Sequence, residues 1–472
     1  MRLSNIDRLS LVQRLISVLV ALLTIAVCIL PMDALPIWNG EIPGHRNQYE
    51  LMAEAILDSR IDFAYGDEHY LERLENPYDP QERTESGVPY HWDHAYYNGH
   101  YYMYFGIVPV FLAFLPYRVV TGQALTTYHA TQLFVAAAIA GIFLLFALLR
   151  KLFFKKLPHW VYIALSVAFS VMSVWYSIAE PALYCTAITC AIALEIWSLY
   201  FFVRAVWGEE KENKQILLAG IGAAFGALVF GCRPPIALAN ILVIPMLIVF
   251  LRQRKFSWTL LGKLVLAALP YAIVATGLML YNYARFDSPF EFGQAYQLTV
   301  ADQTDYSIHM DSATLLRIWN TTGKNFFDIG TIADTFPYLQ TTSVFANFPI
   351  LYLCFAVFLP GTFKKLWQAK LVPFIIGLVV SSLVITAMDI LWAPYLLERY
   401  RMDIYFLAGI GCYVVIGIWH RSCSPKNRPV LNILFVTLSV VTVISAFLLC
   451  MDTVGVYYPE KVTEIAEMLH LQ

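Results

Sequence analysis

The passage HWDHAYYNGH (His91–His100) crowds one aspartate and three histidines around a single turn. A carboxylate beside an imidazole can act as a general base toward a hydroxyl within hydrogen-bond reach. Asp93 and His94 are therefore the first candidates for acid–base work, with Tyr97 beside them as a substrate contact. The same residues lack the ligand spacing of a metal site, so a divalent metal stays open as a cofactor without assigned ligands. The passage closes a polar stretch from Asp33 to Tyr104 that holds fourteen Asp/Glu, four Arg (Arg46, Arg60, Arg73, Arg83) and no Lys. Two further carboxylates in it compete with Asp93. Glu50 is either a base or the third helical position of a capping box opened by Asn47. Asp79, in Asn76-Pro-Tyr-Asp79-Pro80, is either a base or a turn-forming residue.

Cations that would face such a base lie far along the chain. Arg233 sits in Gly231-Cys-Arg-Pro-Pro235, at the junction of two apolar segments. A charge at membrane depth costs a few kcal/mol and tends to face protein or a water-filled cavity. An anion partner and a simple anchoring role both fit it. Glu398-Arg-Tyr-Arg-Met-Asp403 is a second dense cluster at a segment boundary. Arg399 and Asp403 are four apart and expected to pair on a helix, which leaves Arg401 or Tyr400 for a ligand. The planar guanidinium fork suits phosphate because it binds two oxygens at once. Arg285 and Glu291 flank a turn shaped by Pro289 and Gly293 and are expected to bridge it. Asp389 and Glu195 lie inside apolar segments and read first as structural pairs.

These groups need elements to hold them, and composition says which. The 472 residues are 59% hydrophobic and only 14% charged, with mean hydropathy +0.59. A soluble domain carries about 25% charge, so the chain reads as an all-α polytopic membrane protein, a single unit over 1–472. A net charge of −2 gives no field for nucleic acid. Seven of eight cysteines lie in apolar segments, which suggests neither a disulfide nor a metal framework. Eleven spans are expected, near 15–31, 126–149, 159–179, 182–203, 215–232, 235–251, 258–282, 347–363, 371–393, 402–419 and 430–451. The short, proline-broken stretch Ile107–Val120 is a twelfth span or an interfacial helix. Lys and Arg concentrate on the cytoplasmic side of membrane proteins. With the N-terminus inside and eleven spans, 20 of the 32 Lys/Arg fall on that side, and 107–120 belongs in the outer interface. Two large loops, 32–125 and 283–346, then face outward, together with the C-terminal tail. The first should carry surface helices, and a hairpin at Asn98-Gly99. Its tyrosines also suit an interfacial aromatic belt. The second is lid-like.

Taken together, the pieces resemble the GT-C superfamily of membrane glycosyltransferases, which includes protein O-mannosyltransferases and the lipid A aminoarabinose transferase. The likeness lies in an inside N-terminus, one span, a long acidic outer loop with surface helices, then many spans. A closer likeness is to a bacterial subset with motifs NPYDP, WDxAYYNGxYYxYFGxxP, GxRPP, NYxRFxSPFEFGxxYQL and RYxxD. Here these are Asn76–Pro80, Trp92–Pro109, Gly231–Pro235, Asn282–Leu298 and Arg399–Asp403. The resemblance implies a bacterial cytoplasmic membrane enzyme that moves a sugar from a polyprenyl-phosphate carrier to an outer-face acceptor, whether glycan, lipid or protein. It also implies a first-loop acid near the acceptor hydroxyl. The commoner pattern of the superfamily, an acidic pair just after the first span, is replaced here by Asp33, Glu41 and His45-Arg46, so Asp93, Asp79 and Glu50 all stand as the base. Two rivals remain at this level, a lipid-linked glycan flippase and a catalytically silent scaffold.

Overall fold

A computed structural model describes residues 5–34, 47–181, 183–304, 310–330, 332–392 and 396–471. Glu41, His45 and Arg46 lie outside them. The first helix, α1, spans Asn5–Ala34, and the polar stretch follows. Helix α2, Gln48–Leu57, begins at Asn47, whose side-chain oxygen accepts the Glu50 N–H at 2.9 Å. Tyr49, Met52 and Ala53 are buried at i, i+3 and i+4, which turns one face of α2 inward. Helix α3, Pro80–Ser86, is capped by Asp79 through the Gln81 N–H at 2.8 Å.

The expected hairpin is present. Strand β1, Ala95–Tyr97, pairs antiparallel with β2, His100–Tyr102, in the register Tyr96 to Tyr101. Asn98 and Gly99 both have positive φ, 49° and 79°, as a tight primed turn demands. Beyond it, a π turn at Val110–Phe114 runs into α4, Leu115–Thr121. At about 1.5 Å per residue, a helix over 110–121 is far shorter than a hydrocarbon core of about 30 Å. It lies against α2, and Arg118 forms ion pairs with Glu50 and Glu54.

The bundle comprises α5 (Thr127–Phe153), α6 (His159–Ala179), α7 (Leu183–Trp207) and α8 (Glu212–Phe230). Next come α9 (Pro234–Ala237) and α10 (Val243–Arg252), joined by a 3₁₀ turn into one span, and α11 (Trp258–Phe286). The second long loop carries α12 (Ser312–Phe327) and α13 (Val344–Asn347). The chain ends with α14 (Pro360–Gln368), α15 (Val372–Trp392), α16 (Met402–Ser422), α17 (Arg428–Tyr457) and α18 (Pro459–Met468). Among the described residues ten helices are long and apolar enough to cross a membrane, or eleven if a bent helix pair counts as one span. The centre is α7 and α16, each with 83% of its apolar window buried, whereas α11 at 6% is at the rim.

The eighth expected span departs from a straight α-helix. Residues Pro349–Phe358 form a 3₁₀ helix that meets α14 at 78°. Pro360 accounts for the bend. Pro360 cannot continue the helix before it, and it pushes Leu359 into extended backbone. The tighter coil rises about 2 Å per residue, so ten residues still cover about 20 Å. Contacts show that the segment runs beside α16 from end to end. Asn347 donates to Tyr405 near the start of α16, Cys412 to the Ile350 carbonyl midway, and Thr362 meets Ser422 at its end.

The two long loops are stitched together at one end of the bundle. The Asp93 N–H donates to the Leu298 carbonyl at 3.0 Å, the Leu298 N–H to His94 at 2.9 Å and the Tyr96 N–H to Tyr296 at 2.9 Å. Buried Arg83 adds bonds to the carbonyls of Pro77 and Thr299.

Candidate active site

Between these stitched loops and the bundle lies a cavity of about 400 Å³. Its walls come from Trp92–Asp93, Tyr104–Ile107, Tyr184 at the start of α7, the Gly231–Pro235 turn, α11, α15 and Arg399-Tyr400. Asp93 is the carboxylate that the first loop contributes. It is 5% exposed and has φ +57°, a conformation Asp tolerates better than most residues. Tyr184 donates a hydrogen bond to Oδ2, and Gln297 Nε2 donates to Oδ1 at 2.8 Å. An ionised carboxylate accepts about four hydrogen bonds, so room remains on each oxygen for an incoming hydroxyl. Burial raises the Asp93 pKa above the ordinary carboxylate value, while the two donors and the Arg399 charge oppose that rise. The group is a buried carboxylate held in a cavity with a cation nearby.

That cation is Arg399. The expected Arg399–Asp403 pair does not form. Asp403 is fully buried and receives Arg233 Nε at 2.6 Å, and Asp389 lies 3.9 Å from the same guanidinium. The reason is local. Glu398–Arg401 is a 3₁₀ turn that leads into α16, so the i, i+4 geometry of an α-helix does not hold across it. Among the described residues Arg399 makes no ion pair, and its guanidinium lies 4.0 Å over the Tyr184 ring. Tyr184 therefore touches both the carboxylate and the cation. Arg317, exposed on α12, adds a second positive charge to the cavity wall.

Other expected residues are distributed as follows. Arg233 lines the cavity but is held by Asp403 and Asp389, and Tyr400 lies 4.8 Å beneath it. Arg285 lines it too. Its guanidinium donates to the Met103 carbonyl and to Asn282, at 2.7 and 2.8 Å, and forms no ion pair with Glu291. Glu291 accepts the Gly293 N–H. Arg401 turns toward Asn325 of α12 at 3.0 Å. Tyr97 donates to Asp287. Glu50, paired with Arg118, and Asp79, capping α3, do not reach the cavity.

His94 also turns away from Asp93. Its Nε2 meets the Tyr65 hydroxyl at 2.8 Å and its Nδ1 the Trp92 carbonyl at 2.9 Å, which assigns the Nδ1–H tautomer. Burial pushes its pKa down to about 3, so it stays neutral. His91 stacks on Tyr65 and bonds Asp67, and His100 bonds Asp62. The crowded histidines thus buttress the hairpin. Glu195, buried in α7, makes no ion pair among the described residues. Among those residues no group of three His, Cys, Asp or Glu is arranged to hold a metal ion.

Gly106 sets the spacing of two cavity walls. A Cβ there would lie within 3.0 Å of the Gly231 and Cys232 carbonyl oxygens, which are backbone and cannot swing aside. Gly106→Ala should cost about 1–3 kcal/mol by overpacking and displace the turn carrying Arg233. Thermal unfolding in nanodiscs checks this, and an unchanged transition would contradict it.

No family model matches the sequence, and neither does any curated protein. Among solved structures it is similar to the crystal structure of the Archaeoglobus fulgidus oligosaccharyltransferase in its apo form. The TM-score is 0.46 and the identity 11%, over 92% of this chain and 56% of that one. The chain thus spans about half the length of that protein. So distant a likeness says nothing of residues or chemistry.

Proposed function

We propose that this protein is a GT-C-type membrane glycosyltransferase that uses a polyprenyl-phosphate-linked sugar. The observation that carries the reading is a buried carboxylate, Asp93, and a cation without an ion pair among the described residues, Arg399, on the walls of one cavity and on the two faces of Tyr184's chemistry, hydroxyl and ring. Asp93 takes the proton of the acceptor hydroxyl as its oxygen attacks the anomeric carbon. The bond from that carbon to the phosphate oxygen breaks, and the electron pair stays on the lipid phosphate. Arg399, aided by Arg317, stabilises that developing charge. Attack opposite the leaving phosphate inverts the anomeric centre. Positive-inside counting supports an outward-facing cavity with the N-terminus inside, and the family resemblance is what suggests a bacterial cytoplasmic membrane.

The phosphate contact is testable without knowing the sugar. Farnesyl phosphate is a short donor mimic, and Trp92 and Trp392 on the cavity wall supply a fluorescence readout. Arg399→Ala should weaken its binding about 10- to 100-fold, the loss of a charge-assisted hydrogen bond worth roughly 1.5–3 kcal/mol. Arg399→Lys should recover only part, because an ammonium cannot make the two-oxygen fork. Equal affinity in all three proteins would remove Arg399 from the phosphate site.

A further inference from the structure

Asp93 ends a chain of three amide side chains. Gln297 Nε2 donates to Asp93 Oδ1 at 2.8 Å, Gln303 Nε2 to Gln297 Oε1 at 3.3 Å, and Gln294 Nε2 to Gln303 Oε1 at 3.0 Å. The ionised carboxylate only accepts, so it fixes which way Gln297 points. That fixes Gln303 in turn, and then Gln294. Each amide in the chain spends one hydrogen and one lone pair at most on its neighbours. Gln297 and Gln303, which line the cavity, thus keep a second N–H and a second lone pair each, in a set orientation. Such a wall offers donors and acceptors side by side. An ammonium can only donate and a carboxylate only accept, whereas a hydroxyl does both.

A second feature lies on the other side of Asp93. Trp92 lines the cavity with 47% of its surface exposed, and among the described residues no aromatic ring packs against it. Its indole is a flat apolar face with a negative π cloud, suited to the polarised C–H groups on one face of a sugar ring. A peptide offers no such face beside its hydroxyls.

We propose that the acceptor is a carbohydrate whose ring is seated on Trp92 with its hydroxyls against Gln297 and Gln303, which brings one hydroxyl to Asp93. This rests on the glycosyltransferase reading and narrows its acceptor. The test is saturation-transfer NMR on the full chain in nanodiscs, with methyl β-glucoside, an N-acetylglucosamine disaccharide and the tripeptide Gly-Ser-Gly as probes. Farnesyl phosphate binding is measured in parallel.

A saccharide should take up saturation, most strongly on its apolar ring face, and the tripeptide should not. Trp92→Ala should lower saccharide affinity about 3- to 10-fold through the lost ring contact. Gln303→Ala should lower it by a similar factor, about 3- to 10-fold, through lost hydrogen bonds. Neither should change farnesyl phosphate affinity. Saturation of the tripeptide alone, of no probe, or of a saccharide whose signal survives both substitutions would overturn the proposal. If the unmodified protein fails to bind farnesyl phosphate, the donor reading falls, while the saccharide result still decides the acceptor wall.

Discussion

Asp93→Asn is expected to abolish sugar transfer, by about 100- to 10,000-fold, the usual contribution of a positioned general base. Asparagine keeps the shape and can still accept from Tyr184 at its remaining oxygen, with the Gln297 amide turned over so that its oxygen accepts from the new NH2, but it cannot take the acceptor proton. The protein should stay folded, and the sign of its pH dependence says why. Burial raises the folded-state pKa of Asp93, so the folded chain holds that proton more tightly than the unfolded one. Stability contributed by the protonated form is present below the unfolded pKa and falls as pH rises through the folded one. At neutral pH the ionised carboxylate is therefore a cost, and Asp93→Asn should be as stable as the parent or slightly more so. Transfer should follow the opposite course. It needs the carboxylate ionised, so its acid limb should lie above the pH of an ordinary aspartate. Thermal unfolding and transfer measured across pH check both halves.

The second large effect is on the fold. Arg233→Ala removes the cation that Asp403 and Asp389 share, at 2.6 and 3.9 Å, and both carboxylates are almost wholly buried. Breaking a buried pair by deleting one partner costs about 3–5 kcal/mol, because the other charge is left uncompensated. The variant should unfold at markedly lower temperature or fail to insert. Arg233→Met combined with Asp403→Asn should recover much of that loss, since a neutral pair strands less charge. A variant Arg233→Ala as stable as the parent would show that the triad is not holding α9, α15 and α16 together. This separates the two arginines by kind. Arg233 is built into the bundle, whereas Arg399 makes no ion pair among the described residues and stacks on Tyr184.

Much of this architecture was legible because the rules involved are local. Asn98-Gly99 dictates a primed turn wherever it sits between strand-forming residues, and Asn47 and Asp79 cap the helices that follow them. The apolar runs predict eleven spans, and among the described residues ten helices meet the length and hydropathy of a span, or eleven if the bent pair is one. The bend itself needed a closer reading of Pro360, which hydropathy ignores. At the site, Asp93, Arg233, Arg399 and Tyr400 were identified as chemistry-bearing, and they share one cavity.

Their pairings were not legible. Gln297 lies 204 residues from Asp93 and reaches it only because the second loop runs along the first. Tyr184 lies 91 residues away, in an apolar run where one more tyrosine carries no signal. The i, i+4 spacing of Arg399 and Asp403 does not make a pair because a 3₁₀ turn lies across it. The assumed Asp93–His94 partnership failed because the positive φ at Asp93 sends consecutive side chains apart. Sequence proximity suggested partners, and the backbone dihedral decided against them.

Turnover in isolated membranes decides whether Asp93 and Arg399 act on one bond across one cavity. Labelled polyprenyl-phosphate sugars would be supplied to membranes carrying the unmodified protein, Asp93→Asn or Arg399→Ala, with released lipid phosphate and glycosylated product both counted. The unmodified protein should release equal amounts of the two products and Asp93→Asn neither, although that variant should still bind farnesyl phosphate. Arg399→Ala should show weakened farnesyl phosphate binding together with reduced release of both products. Normal turnover by Asp93→Asn, or movement of the lipid-linked sugar across the membrane with no release of lipid phosphate, would contradict a joint action of Asp93 and Arg399 on that bond.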